Sequence, residues 1–200
     1  MAHMSKDKNL CDLFNSDIDF HSYTADRLSI SRDRAKILNL SVGYRATWKS
    51  VSTQLKCERE EAQSQIDAWW GMFPGLRRWQ DELIYKAKKS GFVETLCGLR
   101  IKVEGLCDPL PWKRDSAERR LINNVAQGSA AEVMKHAMIK IHKEAPFFGL
   151  LVQVYDELLF ETAEPEYELP FVVDCMTNAV KLDVPLTVDG KSGLNWAEAH

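Results

Sequence analysis

Apolar residues recur three and four apart through most of the chain, so the pattern predicts helices first. Residues 6–28 mix polar and apolar positions in runs that suit short helices. Ser31 to Arg45, SRDRAKILNLSVGYR, reads as one helix with Ser29 or Ser31 as its N-cap. Residues 47–90 read as two or more helices, broken at Phe73-Pro74-Gly75. Trp69, Trp70, Phe73 and Trp79 fall at helical spacing there and are assigned to the core. Two stretches follow a different period. Gly91 to Val103 alternates around Gly98, as a β-hairpin does, and Gly149 to Thr162 reads as two apolar strands about Tyr155-Asp156-Glu157. Between them lie a loop at 104–112, with Pro109 and Pro111, and a long helical region from Asp115 to Lys143. Residues 164–182 read as a helix and Val184 to Val188 as a strand. The sum is an α+β chain, mainly helical, with a partial antiparallel sheet.

Two polar stripes stand out within this pattern. Arg32, Lys36, Leu40 and Tyr44 are four apart, and at about 100° per residue each step drifts only about 40°, so they share one slowly winding face. They span roughly 18 Å, cations first and the aromatic ring last. A nucleoside triphosphate laid along it would meet charge and free N–H groups at its phosphates, and apolar surface at its sugar and base. The ordinary alternative is a solvated pair of cations above a core leucine and tyrosine. Arg119, Asn123 and Gln127 form the second stripe, wholly polar. Such a row is ordinarily a solvated helix face, yet amides and a guanidinium can also bond the nearly sequence-independent acceptors of a duplex minor groove. Gly128 and the small residues after it suggest a close backbone approach or a change of helix direction. Asp156 and Glu157 at the tip of an apolar hairpin need either solvent or cations.

Composition narrows the classes. Two hundred residues at 45% hydrophobic content bury a real core, in one domain or two lobes. A net charge of −3 excludes a general basic coat for nucleic acid, so any such surface is a local patch. Cys11, Cys57, Cys97, Cys107 and Cys175 are odd in number and contain no CxxC pair, which argues against a zinc or disulfide framework and for a reducing compartment. No apolar run approaches the ~20 residues that cross a bilayer. The opening Met-Ala-His-Met reads as a vector-derived scar before a native Met4, outside the fold.

Several motifs, in order, resemble those of family A DNA polymerases, which occur in bacteria and many phages. The family's fingers helix runs Arg, three residues, Lys, three residues, aromatic-Gly, two residues, Tyr-Gly. Arg32, Lys36 and Tyr44 match it, while Leu40 replaces the aromatic, Ser41 the first Gly and Arg45 the last. Asp19 to Ala25 is similar to the family's Asp-Ile-His-Thr-x-Thr-Ala, with His21 at the His. The EEAQ…FP segment, and Gly91 onward beside Gly-Tyr-Val-Glu-Thr-Leu-x-Gly-Arg-Arg, resemble family segments too. Arg119, Asn123 and Gln127-Gly128-Ser129-Ala130-Ala131 complete a family signature in which Val125 replaces a usual Pro. Gln153, Val154, Asp156 and Glu157 match the catalytic Gln-Val-His-Asp-Glu hairpin, Tyr155 standing for the His. The last residues, Gly193 to His200, resemble the family's C-terminus, which marks a true gene end.

The resemblance implies a mainly helical fingers subdomain with a partial antiparallel palm sheet. Residues 5–28 would be a connector, 29–90 the fingers helices, and 91–200 the C-terminal half of the palm, with a minor-groove helix at 115–143 and the catalytic hairpin at 150–162. It further implies roles. His21, Arg32 and Lys36 hold a deoxynucleoside triphosphate, Lys36 also donating a proton to the leaving group. Leu40 packs the sugar or base, and Tyr44 guards the templating position. Arg119, Asn123, Gln127 and Tyr155 touch the DNA primer–template. Asp156 binds metal, and Glu157 supports it. Two Mg²⁺ ions about 3.5–4 Å apart are expected. Their second carboxylate comes in the family from an Asp-x-Ser-x-Ile-Glu strand that is absent from the 200 residues. The expectation is therefore the C-terminal subunit of a split, phage-like polymerase. A second subunit would supply the thumb and first palm motif, in a bacterial or phage-infected cytoplasm and with no membrane partner. The alternative is a non-catalytic remnant that binds DNA or a partner, a reading carried by Leu40, Ser41, Arg45 and Tyr155.

Overall fold

The computed structural model describes residues 1–199, which form two compact units divided between Ala126 and Gln127, within one long helix. The first unit opens with three short helices, α1 (Ala2–Ser5), α2 (Lys8–Phe14) and α3 (Phe20–Leu28). Four longer ones follow: α4 (Arg32–Val42), α5 (Trp48–Leu55), α6 (Arg59–Met72) and α7 (Pro74–Ser90). A two-stranded hairpin, β1 (Val93–Glu94) with β2 (Arg100–Ile101), then leads to α8 (Pro111–Glu144), which begins at a proline and is helical through Gly128.

Aromatic packing organises the helices around α4. Trp69 is 1% exposed and meets Trp70 and Phe73 edge-on, both with ring centroids 5.0 Å away. Phe20 joins the cluster through Phe73, and Trp79 packs on a neighbouring one, so the four aromatics assigned to core are core. That neighbouring cluster brings Leu83, Ile84 and Ala87 of α7 against Ala117, Leu121, Ile122 and Val125 of α8. The break at 73–75 is tied by a residue far away in sequence. Asp7 caps α2 by accepting from the Leu10 N–H (2.9 Å), and its other oxygen accepts from the N–H groups of Gly75 (2.6 Å) and Leu76 (3.2 Å), which start α7. A Cβ on Gly75 would lie 2.7 Å from that oxygen, so glycine is required.

The first four residues, expected to lie outside the fold, pack with it: Ala2 is buried, and Met1 and Met4 rest on the α7–α8 cluster. Helix α1 lies against α7, so these residues belong to the fold whatever their origin.

In the second unit β3 (Gly149–Val154) pairs antiparallel with β4 (Glu157–Glu161), with Val154 opposite Glu157 and a bulge at Leu151. Helix α9 (Pro165–Thr177) closes over Ile141 of α8, burying Val172 and Cys175 beside Phe148, Leu158, Phe160 and Phe171. A short turn, α10 (Trp196–Ala199), follows. The strand expected at Val184 to Val188 does not form. Pro185 has no N–H to donate, and no strand among the described residues pairs with this stretch. All five cysteines are free thiols.

Candidate functional site

Helix α4 starts where it does because the Ser31 hydroxyl accepts from the Arg34 N–H at 3.4 Å, which decides between the two candidate caps. Ser29 instead closes α3 in a left-handed conformation (φ 53°). The helix buries Ala35, Leu38, Asn39 and Val42 and leaves Arg32, Lys36 and Leu40 outside, Leu40 at 59% exposure. Of the four-residue face predicted from spacing, Arg32, Lys36 and Leu40 are open to solvent. Among the described residues nothing engages Lys36.

Tyr44 lies just beyond the helix. Helix α4 ends at Val42, and the Gln80 side-chain amide of α7 donates to the Gly43 carbonyl (2.8 Å) where the chain turns. The Tyr44 N–H reaches back to Ser41 (3.0 Å), and Arg45 takes a left-handed conformation (φ 61°) that favours glycine. Its guanidinium donates to Asp81 at 2.7 Å. Tyr44 is half-buried in the turn.

Arg32 is already engaged. Its Nε and Nη2 donate to the two oxygens of Asp19, each at 3.1 Å, in a bidentate pair on the protein surface. The Arg32 guanidinium and the Ser22 N–H together hold the Asp19 carboxyl well below the usual carboxylate range. Asp19 also caps α3, so the pair ties the N-termini of α3 and α4 together. His21 sits in the first turn of α3, where its Nδ1 meets the Asn39 side-chain nitrogen at 3.0 Å.

On α8, Arg119 and Asn123 lie away from the buried stripe of Ala117, Leu121, Ile122 and Val125, Asn123 being exposed. They belong to the first unit, whereas Gln127, exposed, is the first residue of the second.

The hairpin tip carries Tyr155 and Asp156 in its turn and Glu157 at the head of β4. Tyr155 is left-handed (φ 52°) and 90% exposed, its carbonyl accepting from the Gln153 amide at 3.0 Å. Asp156 is exposed, and Glu157, half-buried, accepts from the Trp196 indole N–H at 3.4 Å. Two adjacent carboxylates are hard oxygen donors suited to a divalent cation. No three His, Cys, Asp or Glu side chains converge among the described residues, so these two fit part of a metal site rather than a whole one.

Sequence reading missed Asn39 and the engagement of Arg32 by Asp19. Asn39 had a visible signal: it is a polar residue on the face of α4 that otherwise buries Ala35, Leu38 and Val42. The Arg32–Asp19 pair had none, since it depends on how two helices meet.

Comparison with known proteins agrees with this geometry. The family model described as DNA polymerase family A matches residues 1–198. DNA polymerase I of Pseudomonas aeruginosa is 35% identical over the whole of this chain, and that of Mycobacterium tuberculosis (strain H37Rv) is 38% identical. In each case the chain spans 24% of the relative's length. Among solved structures, the POL domain of Pol1 from M. smegmatis, in complex with DNA primer-template and dNTP, matches with a TM-score of 0.90 at 34% identity. The match covers 99% of this chain and 38% of that one. By this match over nearly its whole length, the chain belongs to DNA polymerase family A.

Proposed function

We propose that this chain is the C-terminal part of a DNA-directed DNA polymerase, contributing nucleotide-binding helices and one acidic hairpin to template-directed synthesis. The observation that carries the reading is the open face of Arg32, Lys36 and Leu40, with His21 bound to Asn39 of the same helix. The primer 3′-hydroxyl gives up its proton to water as its oxygen attacks the α-phosphorus of a deoxynucleoside triphosphate, the bond from that phosphorus to the bridging β-phosphate oxygen breaks, and pyrophosphate leaves. Arg32, Lys36 and His21 bind the triphosphate oxygens, and Lys36 hands a proton to the departing pyrophosphate. Leu40 packs the sugar or base from the end of that face. Tyr44 contributes from its turn at the templating position. Arg119, Asn123, Gln127 and Tyr155 are assigned to the primer–template, residue by residue.

Asp156, supported by Glu157, would hold Mg²⁺. Bound there, the ions would neutralise charge on the attacking and leaving oxygens. A pair of ions needs carboxylates from a further strand, so the reaction requires a completing polypeptide that carries the thumb and first palm motif. Exposed apolar residues on β3, Leu151 at 58% and Val152 at 39%, are consistent with a surface that such a partner covers.

The bidentate Arg32–Asp19 pair favours a second reading, a non-catalytic DNA- or partner-binding remnant, because the first phosphate-binding cation is occupied. Primer extension separates the two. The chain alone should extend nothing, and co-purification with a polypeptide bearing the thumb and the Asp-x-Ser-x-Ile-Glu strand should give Mg²⁺-dependent synthesis. Asp156→Ala should then abolish synthesis while leaving DNA binding within about twofold, since surface substitutions away from packed features cost little. Extension by the chain alone would overturn the two-part reading. Failure of the completed assembly would leave the remnant.

A further inference from the structure

Asn39 is 6% exposed in the middle of α4, and each polar atom of its side chain has a defined partner. Its Oδ1 accepts from the Trp69 indole N–H at 2.7 Å and from the Thr24 hydroxyl at 3.0 Å. An indole nitrogen can only donate, so the atom facing it must be the oxygen, and the orientation of the amide follows. The amide nitrogen is then turned toward α3, 3.0 Å from His21 Nδ1 and 3.4 Å from the Phe20 carbonyl. In that orientation it donates to Nδ1, and a ring nitrogen that accepts carries no proton. The proton of the neutral imidazole is therefore on Nε2. Nε2 has no partner among the described residues and is not among the buried atoms left without one, so it reaches solvent.

We propose that Asn39 is a positioning residue that sets the tautomer of His21, so that the side chain offers an outward N–H donor to the phosphate oxygens of a nucleoside triphosphate. The phosphate part rests on the function proposed above; the tautomer part stands without it. The chain of cause begins in the core. Trp69 is held by the aromatic cluster, its indole orients Asn39, and Asn39 orients a histidine at the edge of the α4 face. Core packing thereby decides which atom of His21 faces the ligand, at no cost in exposed polar contacts.

The test is long-range ¹H–¹⁵N correlation on the uniformly ¹⁵N-labelled full chain above the titration range of histidine, where protonated and unprotonated ring nitrogens resonate far apart. The wild type should show His21 with Nδ1 bare and Nε2 protonated. Asn39→Asp keeps an oxygen for Trp69 and Thr24 but turns an acceptor toward Nδ1, so it should place a proton on Nδ1. Near-UV circular dichroism of the tryptophan cluster checks that the variant keeps its fold. A wild-type Nδ1–H tautomer overturns the proposal even if the variant does not fold. So does a folded Asn39→Asp chain whose His21 nitrogens are unchanged. Inorganic tripolyphosphate is then titrated into the wild type and should move the Nε2 resonance more than Nδ1. If the tautomers behave as stated and tripolyphosphate moves neither nitrogen, the phosphate role of His21 falls and the tautomer lock stands.

Discussion

The two units bury their apolar side chains to very different degrees. The first has an aromatic centre in which Trp69, Phe73, Leu38 and Leu76 are all at most 2% exposed. The cluster of the second has three buried members, Ile141, Val172 and Cys175. Around it Phe147 stands 97% exposed, Leu194 96%, Tyr167 78% and Leu151 58%. Exposed apolar residues are ordinary when scattered, but here several lie on or beside the one hairpin that carries the acidic pair. The first unit has the larger buried cluster, and the second leaves apolar side chains open beside its hairpin. That difference is in keeping with the proposed function, in which the nucleotide face has a rigid support and the hairpin takes ligands from another strand.

The strongest way to break this comparison is to damage the side with the larger buried cluster. Trp69→Ala should cost about 3–5 kcal/mol, the range for truncating a buried aromatic, and it also strips Asn39 of the donor that orients it. Urea denaturation read by circular dichroism checks this. A loss under 1 kcal/mol would mean that the cluster is not the centre of the first unit.

Val152→Lys probes the open side. Val152 faces Leu159 across the hairpin and is 39% exposed, so the change should alter the stability of the chain alone by about 0.5 kcal/mol or less. It should nevertheless weaken binding of the completing polypeptide by about tenfold or more, measured by size-exclusion chromatography with light scattering. Equal binding by both proteins would remove β3 from the interface.

The smallest effect belongs to the surface pair at the N-termini of α3 and α4. Because Asp19 has a lowered carboxyl pKa when folded, its contribution is present above the unfolded value of about 3.9 and is lost as pH falls through the folded one. The melting temperatures of wild type and Asp19→Asn should therefore differ by a constant, small amount from pH 7 to about pH 5, and the gap should only begin to close below about pH 4, narrowing as pH falls toward the lowered folded value. Added salt should shrink the gap, since both partners are exposed. Freed from its carboxylate, Arg32 in that variant should bind triphosphate more tightly. Unchanged affinity would mean that Asp19 does not compete for Arg32.

Much of this was legible in one dimension. Helical spacing located α4 through α8, a serine before the first apolar step marked the α4 cap, and the hydrophobic runs about Asp156 and Glu157 placed both at a hairpin tip. These features are local: they depend on neighbours within about four residues or across one turn. What the tertiary structure decided depends on residues far apart in sequence. Tyr44 falls in a turn rather than in the helix, and at that turn Gln80, on another helix, donates to the Gly43 carbonyl. Residues 184–188 stayed out of any sheet because a strand needs a paired neighbour, and alternation alone supplies none. The first four residues joined the fold because α7 offered an apolar surface that no inspection of Met-Ala-His-Met could reveal. Asn39 shows the division most clearly. Its polarity on a buried face was visible in the sequence, but its partners Trp69, Thr24 and His21 lie up to thirty residues away. Hydrogen-bond direction is set by three-dimensional approach, so only the folded chain could decide which nitrogen of His21 is free.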